Sequence, residues 1–254
     1  MIEIIQIPVL SDNYVYIIID SISNTTACVD PAVSKPILNF LDNRKLNLDF
    51  ILNTHHHNDH TGANLELKKV TNCKVVGSEE DYKRIPGIDI KLKKGDLFQI
   101  GNHIFEVLDV PGHTLGHICF YCKKEDILFS GDTLFSFGCG RIFEGEPEQM
   151  LSSLKQIQSL PDKTVVYCGH EYTHSNILFA LSIEPENKLL IRKEKEISKL
   201  RSKGVPTVPF KLLIEKELNP FLRVNDEKLI KNLNYENLSE TEIFKRLRAR
   251  KDAF

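Results

Sequence analysis

The chain has 254 residues and a formal net charge of −2, from 33 basic and 35 acidic side chains. This length allows one large domain, or one domain with a smaller companion. A composition that is 41% hydrophobic and 27% charged is ordinary for a globular protein and can build a core. The near balance of charge excludes a global electrostatic field for nucleic acid or anionic membrane. Recognition of an acidic ligand would therefore need a local basic cluster.

The six cysteines are scattered through apolar sequence, without a basic-plus-apolar leader or an apolar run near the ~20 residues that span a bilayer. We therefore expect a cytoplasmic monomer with reduced, buried thiols and no nucleic-acid or membrane partner. The spacing Cys119-x-x-Cys122 leaves a redox or zinc role open, but it falls in a predicted strand and no second cysteine pair accompanies it.

The first third of the chain alternates strand and helix signals. Apolar and β-branched runs predict strands over residues 2–9, 14–20, 25–30, 50–53 and 73–76. Apolar residues at helical spacing predict helices over 35–45 and 63–70. This alternation is typical of βαβ units.

Short strands dominate the middle of the chain. Polar turns separate predicted strands over residues 97–100, 103–110, 118–122 and 127–130. A predicted amphipathic helix follows over 147–160, with one apolar stripe, and then a strand over 164–167. The pattern suggests two sheets packed face to face with helices outside.

The composition changes beyond residue 175. Residues 176–183, 187–203 and 239–250 look helical, and the last two stretches are dense in Lys, Arg and Glu. Ser239 with Glu242 forms a capping-box start for the last helix. We predict a helical carboxyl-terminal unit.

Residues 54–60 read Thr-His-His-His-Asn-Asp-His and follow a predicted buried strand. They lie where open α/β sheets place ligand sites, and they contain four of the nine histidines. His55 and His57 point the same way from an extended segment, whereas the adjacent Asp59 and His60 diverge. This spacing suits two neighbouring metal ions with one pair of ligands for each.

Three later turns each place one candidate ligand directly after a glycine, where the backbone can approach a metal closely: His113, Asp132 and His170. One dinuclear site accounts for all of these residues. We predict that one ion takes His55, His57 and His113, that the other takes Asp59, His60 and His170, and that Asp132 bridges them.

Two such ions would lower the pKa of a shared water from ~15.7 to near neutrality. The resulting metal-bridging hydroxide can attack an acyl carbon, with Asp59 and Asp132 as the catalytic carboxylates and the metals stabilising the oxyanion. We expect two divalent ions. Zinc is the first choice, and iron or manganese are alternatives, because His and Asp ligation without cysteine accommodates each of them.

The remaining histidines have weaker signals. His117 shares a turn with His113 and is a candidate for orienting a ligand. We expect His56 to face away from the metals, His103 to be a core or surface residue, and His174 to be solvated at a helix start.

The ligand pattern Thr-His-x-His-x-Asp-His, with the later His113, Asp132 and His170, resembles the metallo-β-lactamase superfamily over residues 1–172. The resemblance implies an α+β fold, an αββα metallo-β-lactamase sandwich with two metals at one edge. We therefore expect a catalytic domain over 1–172 and a helical substrate-binding domain over 173–254.

A narrower resemblance covers the whole chain. Residues 137–145, 169–173, 219–223 and 248–254 resemble the glyoxalase II (hydroxyacylglutathione hydrolase) family. That family cleaves the thioester S-D-lactoylglutathione to glutathione and D-lactate in methylglyoxal detoxification. The resemblance implies that the glutathione moiety contacts Arg141, Phe143, Tyr172, Arg248 and Lys251.

The chemistry of glutathione agrees with this set, because the tripeptide carries a carboxylate at each end and one ammonium. Arg141 and Arg248 can hold carboxylates by planar forks, and Lys251 can act as a point charge. The chain departs from the family pattern at Phe143, where many members carry tyrosine, so one hydroxyl contact is lost. Ala63 in place of a common glycine, and Asn58 at a variable position, touch no ligand.

Other functions stay open at this point. A persulfide dioxygenase with a single iron has similar ligand motifs, but the segment with Arg248 and Lys251 favours the hydrolase. A lactonase or β-lactamase is a further alternative, and the bridging Asp132 fits poorly with β-lactamases. A nuclease of this fold would need a broader basic surface than a net charge of −2 suggests. Seven intact candidate ligands disfavour a non-catalytic scaffold.

Overall fold

The structure is a computed structural model that describes residues 2–254, so Met1 of the predicted catalytic domain lies outside the described residues. The chain falls into two compact units. The first unit runs to Asp109 and includes Leu115–Gly131, and the second comprises Val110–Thr114 and Asp132–Phe254. Among the described residues, no helix combines the length and apolar character needed to cross a bilayer.

A six-stranded mixed sheet forms the base of the first unit. Its strands follow chain order: β1 (Ile2–Val9), β2 (Asn13–Asp20), β3 (Thr25–Val29), β4 (Phe50–Leu52), β5 (Lys74–Ser78) and β6 (Ile88–Leu92). Pairing is antiparallel from β1 to β3 and parallel from β3 to β6. The parallel part places the carboxyl ends of its strands at one edge, where ligand sites form.

Two helices of the first unit connect the parallel strands: α1 (Ser34–Arg44) and, after the short α2 (Asn58–Thr61), α3 (Asn64–Thr71). Ile37 of α1 and Leu67 of α3 are fully buried in one core cluster with Ile17, Ile51 and Val75 of the sheet. Burying these apolar side chains is the main stabilising term for the unit.

An antiparallel meander completes the first unit, with strands β7 (Leu97–Ile100), β8 (His103–Asp109), β9 (Ile118–Cys122) and β10 (Ile127–Gly131). All five residues of β9 are buried, including Cys119 and Cys122. The six cysteines of the chain are reduced thiols in buried positions. These burials favour a structural role for the Cys119-x-x-Cys122 pair.

The second unit contains two short strand pairs and most of the helices. Its elements are β11 (Leu134–Phe135), β12 (Gly138–Cys139), α4 (Pro147–Gln158), β13 (Val165–Cys168), α5 (Thr173–Ile183), α6 (Lys188–Arg201), β14 (Phe210–Lys211), α7 (Leu212–Leu218), a 3₁₀ helix (Pro220–Leu222), α8 (Glu227–Leu233) and α9 (Glu240–Asp252). The Ser239 side chain caps α9 by accepting from the backbone N–H of Glu242 at 3.2 Å. A core cluster packs Ile177 and Ala180 of α5 against Leu190 and Ile197 of α6.

The predicted elements agree closely with the structure, and the elements that were left unassigned are all short. Strand β6 and helices α7 and α8 were left unassigned, and so were α2 and the two-residue strands. Segments of two to seven residues carry little periodicity, so they are recognised only where an apolar or β-branched run or a clear turn marks them. The expected domain boundary at residue 172 stays a prediction.

Candidate metal centre and substrate pocket

The histidine loop, residues 54–60, leaves β4 and enters α2. The side-chain amide of Asn53 donates to the backbone oxygen of His60 at 2.9 Å, which closes the loop. The backbone oxygen of Thr54 accepts from the N–H of Ile118 at 2.8 Å. His55 and His60 are almost completely buried. The loop is therefore held by hydrogen bonds within its own unit.

His55 and His57 form the first pair of candidate ligands. His55 Nε2 lies 3.0 Å from His57 Nδ1. The Thr54 hydroxyl donates to Asp30 Oδ2 at 2.6 Å, so it can accept from His55 Nδ1 at 3.1 Å. This network assigns the proton of His55 to Nδ1 and leaves the Nε2 lone pair beside His57, as metal ligation requires.

Asp59 and His60 form the second pair. His60 Nε2 lies 3.6 Å from Asp59 Oδ2, while His60 Nδ1 faces Asp30 Oδ2 at 3.1 Å. The Asn13 amide donates to Asp59 Oδ2 at 3.0 Å and fixes that carboxylate. Each pair predicted from the spacing is thus brought together within the first unit.

Asp30 is a functional candidate that the sequence reasoning missed. Its carboxylate is buried, accepts from the backbone N–H of Thr54 at 2.8 Å, and also contacts His60. Donor atoms of Asp30, His55 and His60 all lie within 4.8 Å of one another. One signal was available, because Asp30 directly follows a strand, as the predicted ligands do.

The other histidines have different surroundings. His56 turns to Asp81, with Nδ1 2.9 Å from Oδ2, and the expectation that it faces away from the metals stays a prediction. His117 is fully buried and stacks on His55, with ring centroids 4.7 Å apart and an interplanar angle of 17°. His103 is buried with Nδ1 3.1 Å from Glu125 Oε1. His174 lies at the start of α5, as expected, where it is partly exposed and shares a hydrogen bond with Ser198 at 3.0 Å.

The second unit supplies the remaining candidate ligands. Asp132 Oδ2 lies 3.5 Å from His113 Nε2 and 3.2 Å from His170 Nε2. One carboxylate therefore stands between two imidazoles, which is the arrangement that a bridging ligand needs. His113 Nδ1 donates to the backbone oxygen of Arg141 at 2.9 Å, which leaves Nε2 as the metal-binding atom.

Gly140 lies against the backbone of this ligand set. A Cβ at this position would stand 2.0 Å from the backbone oxygen of Asp132 and 3.2 Å from His113 Nδ1. The contact with backbone cannot be relieved by a side-chain rotation, so only glycine fits here.

The donor sets of the two units fit divalent metal ions. Each offers imidazole nitrogens and carboxylate oxygens, the ligands of zinc, iron and manganese. Three of the imidazoles, those of His55, His60 and His113, have the second ring nitrogen occupied by a hydroxyl, a carboxylate or a backbone oxygen. Such partners are typical of metal-binding histidines.

A cavity of about 510 Å³ opens in the second unit. It is lined by all five predicted substrate residues and by His113, together with neighbours from β11, β12, α5 and α9: His113, Phe135, Cys139, Arg141, Phe143, Tyr172, Ser175, Asn176, Arg248, Lys251, Asp252 and Phe254. Its volume lies in the range of small-molecule sites. Residues far apart in the chain thus meet around one pocket.

Arg248 is the fixed cation of the pocket. It is buried, donates to the backbone oxygen of Cys139 at 2.8 Å, and lies over the Phe221 ring at 5.1 Å. Burial raises the pKa of the Cys139 thiol to about 11, although the Arg248 charge opposes this, so Cys139 stays a neutral thiol.

Lys251 is half-buried and donates to Ser175 Oγ at 2.8 Å. Burial, and after it the charges of Arg248 and Arg141, lower the pKa of Lys251 to about 8, against the opposing effect of Asp252. The ammonium therefore titrates close to neutral pH when no anion occupies the pocket.

Two aromatic side chains of the pocket lie against candidate ligands. The Tyr172 ring is parallel to His170, with centroids 4.7 Å apart and an angle of 3°. The Phe143 ring meets His113 edge-on at 5.2 Å and is 61% exposed, so it can contact a ligand through its apolar face.

A buried carboxylate supports the hairpin of β11 and β12. Glu215 accepts from Ser136 Oγ at 2.9 Å, from the Phe137 N–H at 2.6 Å and from Asn219 Nδ2 at 3.0 Å. Burial raises the pKa of Glu215 to about 7, although these three hydrogen bonds oppose the rise. Sequence reasoning missed this residue, which lies in a charged stretch that resembles a solvated helix.

Comparison with known proteins places the fold and the ligand pattern in a class. Residues 13–170 match the model of the metallo-beta-lactamase superfamily, and the chain belongs to it. Residues 171–254 match the model of the hydroxyacylglutathione hydrolase C-terminus, which places the chain among the hydroxyacylglutathione hydrolases of that superfamily.

Curated relatives agree over the full length. A hydroxyacylglutathione hydrolase of Methylococcus capsulatus is 50% identical over 254 residues, covering 100% of this chain and 99% of the relative. One of Rhodospirillum rubrum is 44% identical over 252 residues, covering 99% and 98%. The predicted family and hydrolase class are confirmed by these relatives.

Solved structures confirm the predicted fold. ETHE1 from Myxococcus xanthus superposes with a TM-score of 0.68 and 26% identity, covering 99% of both chains. The BLEG-1 B3 metallo-beta-lactamase gives a TM-score of 0.67 and 23% identity, covering 87% of this chain and 99% of its own. The prediction of metal-binding His and Asp clusters is likewise confirmed, at the level of residues able to bind an ion.

Proposed function

We propose that the protein is a thioester hydrolase that cleaves S-D-lactoylglutathione to glutathione and D-lactate. The observation that carries this proposal is the pocket in which Arg141, Arg248 and Lys251 cluster beside His113. Three cations suit a substrate with a carboxylate at each end. The relatives named hydroxyacylglutathione hydrolase support the same substrate class.

The proposed metal ligands are those expected from the sequence. In this proposal His55, His57 and His113 would hold one divalent ion, Asp59, His60 and His170 would hold the second, and Asp132 would be shared between them. When bound, two such ions, zinc in the first instance, activate water as a nucleophile at neutral pH and stabilise negative charge on the acyl oxygen. The imidazole orientations set by Thr54, Asp30 and the Arg141 carbonyl support this assignment.

The chain's own residues bind and orient the substrate in this proposal. Arg141, Arg248 and Lys251 hold the peptide carboxylates, while Phe143 and Tyr172 pack against its apolar parts. In the overall reaction, water oxygen bonds to the thioester carbon and the carbon–sulfur bond breaks. The thiol and the hydroxy acid then leave. Binding energy from the peptide end positions the reacting carbonyl.

The first test is an activity measurement. Protein loaded with zinc should consume the thioester absorbance of S-D-lactoylglutathione and release thiol and D-lactate in equal amounts. A chelator should remove the activity, and added zinc should restore it. Oxygen uptake with glutathione persulfide, without thioester cleavage, would contradict the proposal and favour a dioxygenase.

A matched pair of arginine variants tests the peptide clamp. Arg248 lines the pocket, whereas Arg246 on the same helix pairs with Glu242 at 3.0 Å on the exposed surface. Arg248→Gln should raise KM by about tenfold or more, since a charge-assisted hydrogen bond contributes ~1.5–3 kcal/mol. Arg246→Gln should leave KM unchanged, and equal effects of both variants would argue against the pocket.

Burial of all six thiols supports a cytoplasmic location for this reaction. Fractionation of cells that express the protein at its natural level would test this part.

A further inference from the structure

Asp252 is the one acid among the described residues that line the cationic pocket. It is the last residue of α9, where the helix dipole disfavours a carboxylate. Neither the proposed metal chemistry nor the binding of carboxylates needs this residue. Asp252 is therefore an acid among three cations, at an unfavourable helix position, with no role in the chemistry described so far.

The neighbours of Asp252 leave part of its carboxylate available. Oδ1 accepts from Arg248 Nε at 3.2 Å and lies 3.0 Å from Arg248 Nη2. The same atom lies 3.9 Å from Arg141 Nε, which is beyond hydrogen-bond distance. The Asp252 side chain is 44% exposed and that of Arg141 is 67% exposed. Arg141 and Asp252 therefore lie side by side without a hydrogen bond between them.

A paired cation and anion is complementary to an α-amino acid group. The γ-glutamyl end of glutathione carries a carboxylate and an ammonium on the same carbon, so its recognition needs opposite charges in adjacent positions. Arg248, which contacts the Cys139 carbonyl and Asp252, and Lys251, which donates to Ser175, are held in place for the other carboxylate of the peptide. Arg141 with Asp252 is thus the pair in the pocket that matches this group.

We propose that Arg141 and Asp252 form the subsite for the amino-acid end of the peptide, with the Asp252 carboxylate accepting the ammonium. This inference rests on the proposed function and deepens it, because it names the groups of glutathione that Arg141 and Asp252 bind. It makes Asp252 a specificity residue, which separates thioesters of peptides with a free ammonium from thioesters without one.

The ammonium itself provides the test. We would compare the binding of S-methylglutathione with that of its des-amino counterpart, in which hydrogen replaces the ammonium, by titration calorimetry. The native protein should bind S-methylglutathione about five- to tenfold more tightly, as one partly exposed charge-assisted hydrogen bond predicts. Equal affinity of the native protein for both ligands would overturn the proposal without any variant.

Asp252→Asn should abolish this preference. The variant leaves the pocket more cationic, so it should bind the des-amino ligand at least as tightly as the native protein does. The ratio of the two affinities is therefore the readout, because a residue that merely held Arg248 in place would weaken both ligands equally. Such an equal loss would overturn the proposal.

Glu242→Gln is the matched control. Glu242 makes the same kind of ion pair four residues from an arginine on α9, with Arg246 at 3.0 Å, but it does not line the pocket. This variant should keep the native preference. The binding measurement uses ligands that cannot be hydrolysed, so it decides the role of Asp252 even if hydrolysis of S-D-lactoylglutathione, measured in parallel, were absent.

Discussion

The histidine loop of the first unit and the cationic pocket of the second unit are built in different ways. His55 and His60 of the loop are almost fully buried, and each has a ring nitrogen fixed by a neighbouring side chain. In the pocket, Arg141 is 67% and Phe143 61% exposed, and only Arg248 of the three cations is buried. The side chains of the loop are fixed by other groups of the chain, whereas the exposed side chains of the pocket have room to adjust to a ligand.

This difference separates two tasks. Metal ligands must hold a fixed geometry, so their supports are short hydrogen bonds between buried groups. Peptide recognition can use long, exposed cationic side chains, because the attraction between charges does not need one fixed geometry. These side chains lose conformational entropy only when the ligand binds. We therefore expect mutations in the loop to affect metal content and turnover, and mutations in the pocket to affect KM.

The largest effect should follow removal of the carboxylate that stands between two imidazoles. Asp132→Ala should lower kcat/KM by about a thousandfold or more, equivalent to ~4 kcal/mol of transition-state stabilisation. Asp162→Ala, at an exposed position paired with Lys216, is the control and should keep native activity. Full activity of the Asp132 variant, measured with metal content, would falsify the proposed two-metal site.

Glu215 tests whether a buried hydrogen-bonded group also contributes to the stability of the second unit, which contains the pocket. Because its pKa is about 7 in the folded state, against 4.5 as the ordinary value, the folded chain holds this proton more tightly than the unfolded chain. The contribution of this group is fully present below about pH 4.5 and is lost as the pH rises through about 7, by ~3 kcal/mol in all.

Denaturant titrations across this pH range can measure the effect. The stability of the native protein should fall relative to Glu215→Gln as the pH rises, since glutamine does not ionise. The same comparison with Glu196→Gln, at an exposed helix position, should be flat or of opposite sign, because Lys193 and Arg192 lower the pKa of Glu196. A constant difference between native protein and Glu215→Gln would contradict the raised pKa.

Asp30 tests whether the buried hydrogen bonds of the histidine loop contribute to metal affinity. Asp30→Ala removes the group that faces His60 Nδ1 and holds Thr54, so metal affinity should fall about 10- to 100-fold. Competition with a chromophoric chelator measures this directly. His56→Ala lies in the same loop but removes a ring that faces Asp81, and it should leave metal affinity unchanged.

Lys251 gives the smallest effect. Its pKa of about 8 means that its positive charge disappears as the pH rises through that value. The KM for the thioester should therefore rise about fivefold between roughly pH 7 and pH 9, with kcat following its own profile. Lys251→Gln should have a higher KM with no such rise, while Lys245→Gln on the same helix should behave as the native protein.

The metal ligands could be predicted from the sequence because their spacing carries information. Four of them lie within six residues, and each later ligand follows a glycine at the end of a strand. Asp30 offered only its place directly after a strand, and a single aspartate there, with no pattern around it, does not distinguish a functional residue. Its role depends on contacts with residues 24 and 30 positions away in the chain.

The pocket shows a second limit of sequence reasoning. Asp252 and Glu215 lie in helices rich in charge, where an acid resembles any solvated side chain. Only tertiary contacts show that Glu215 is buried under a hairpin and that Asp252 stands among three cations. The five substrate residues were expected through family resemblance, because neither spacing nor charge alone distinguishes Arg248 from Arg246.

Gly140 has an evolutionary consequence. It offers no functional group, yet any larger residue would drive its Cβ into the Asp132 carbonyl. A survey of all single substitutions would therefore find this position as intolerant as a ligand, although it takes no part in the chemistry. Among distant relatives we expect glycine at this position to be invariant, while its exposed neighbour Arg141 can be replaced by other cationic residues. Invariance at position 140 would then reflect a lack of space.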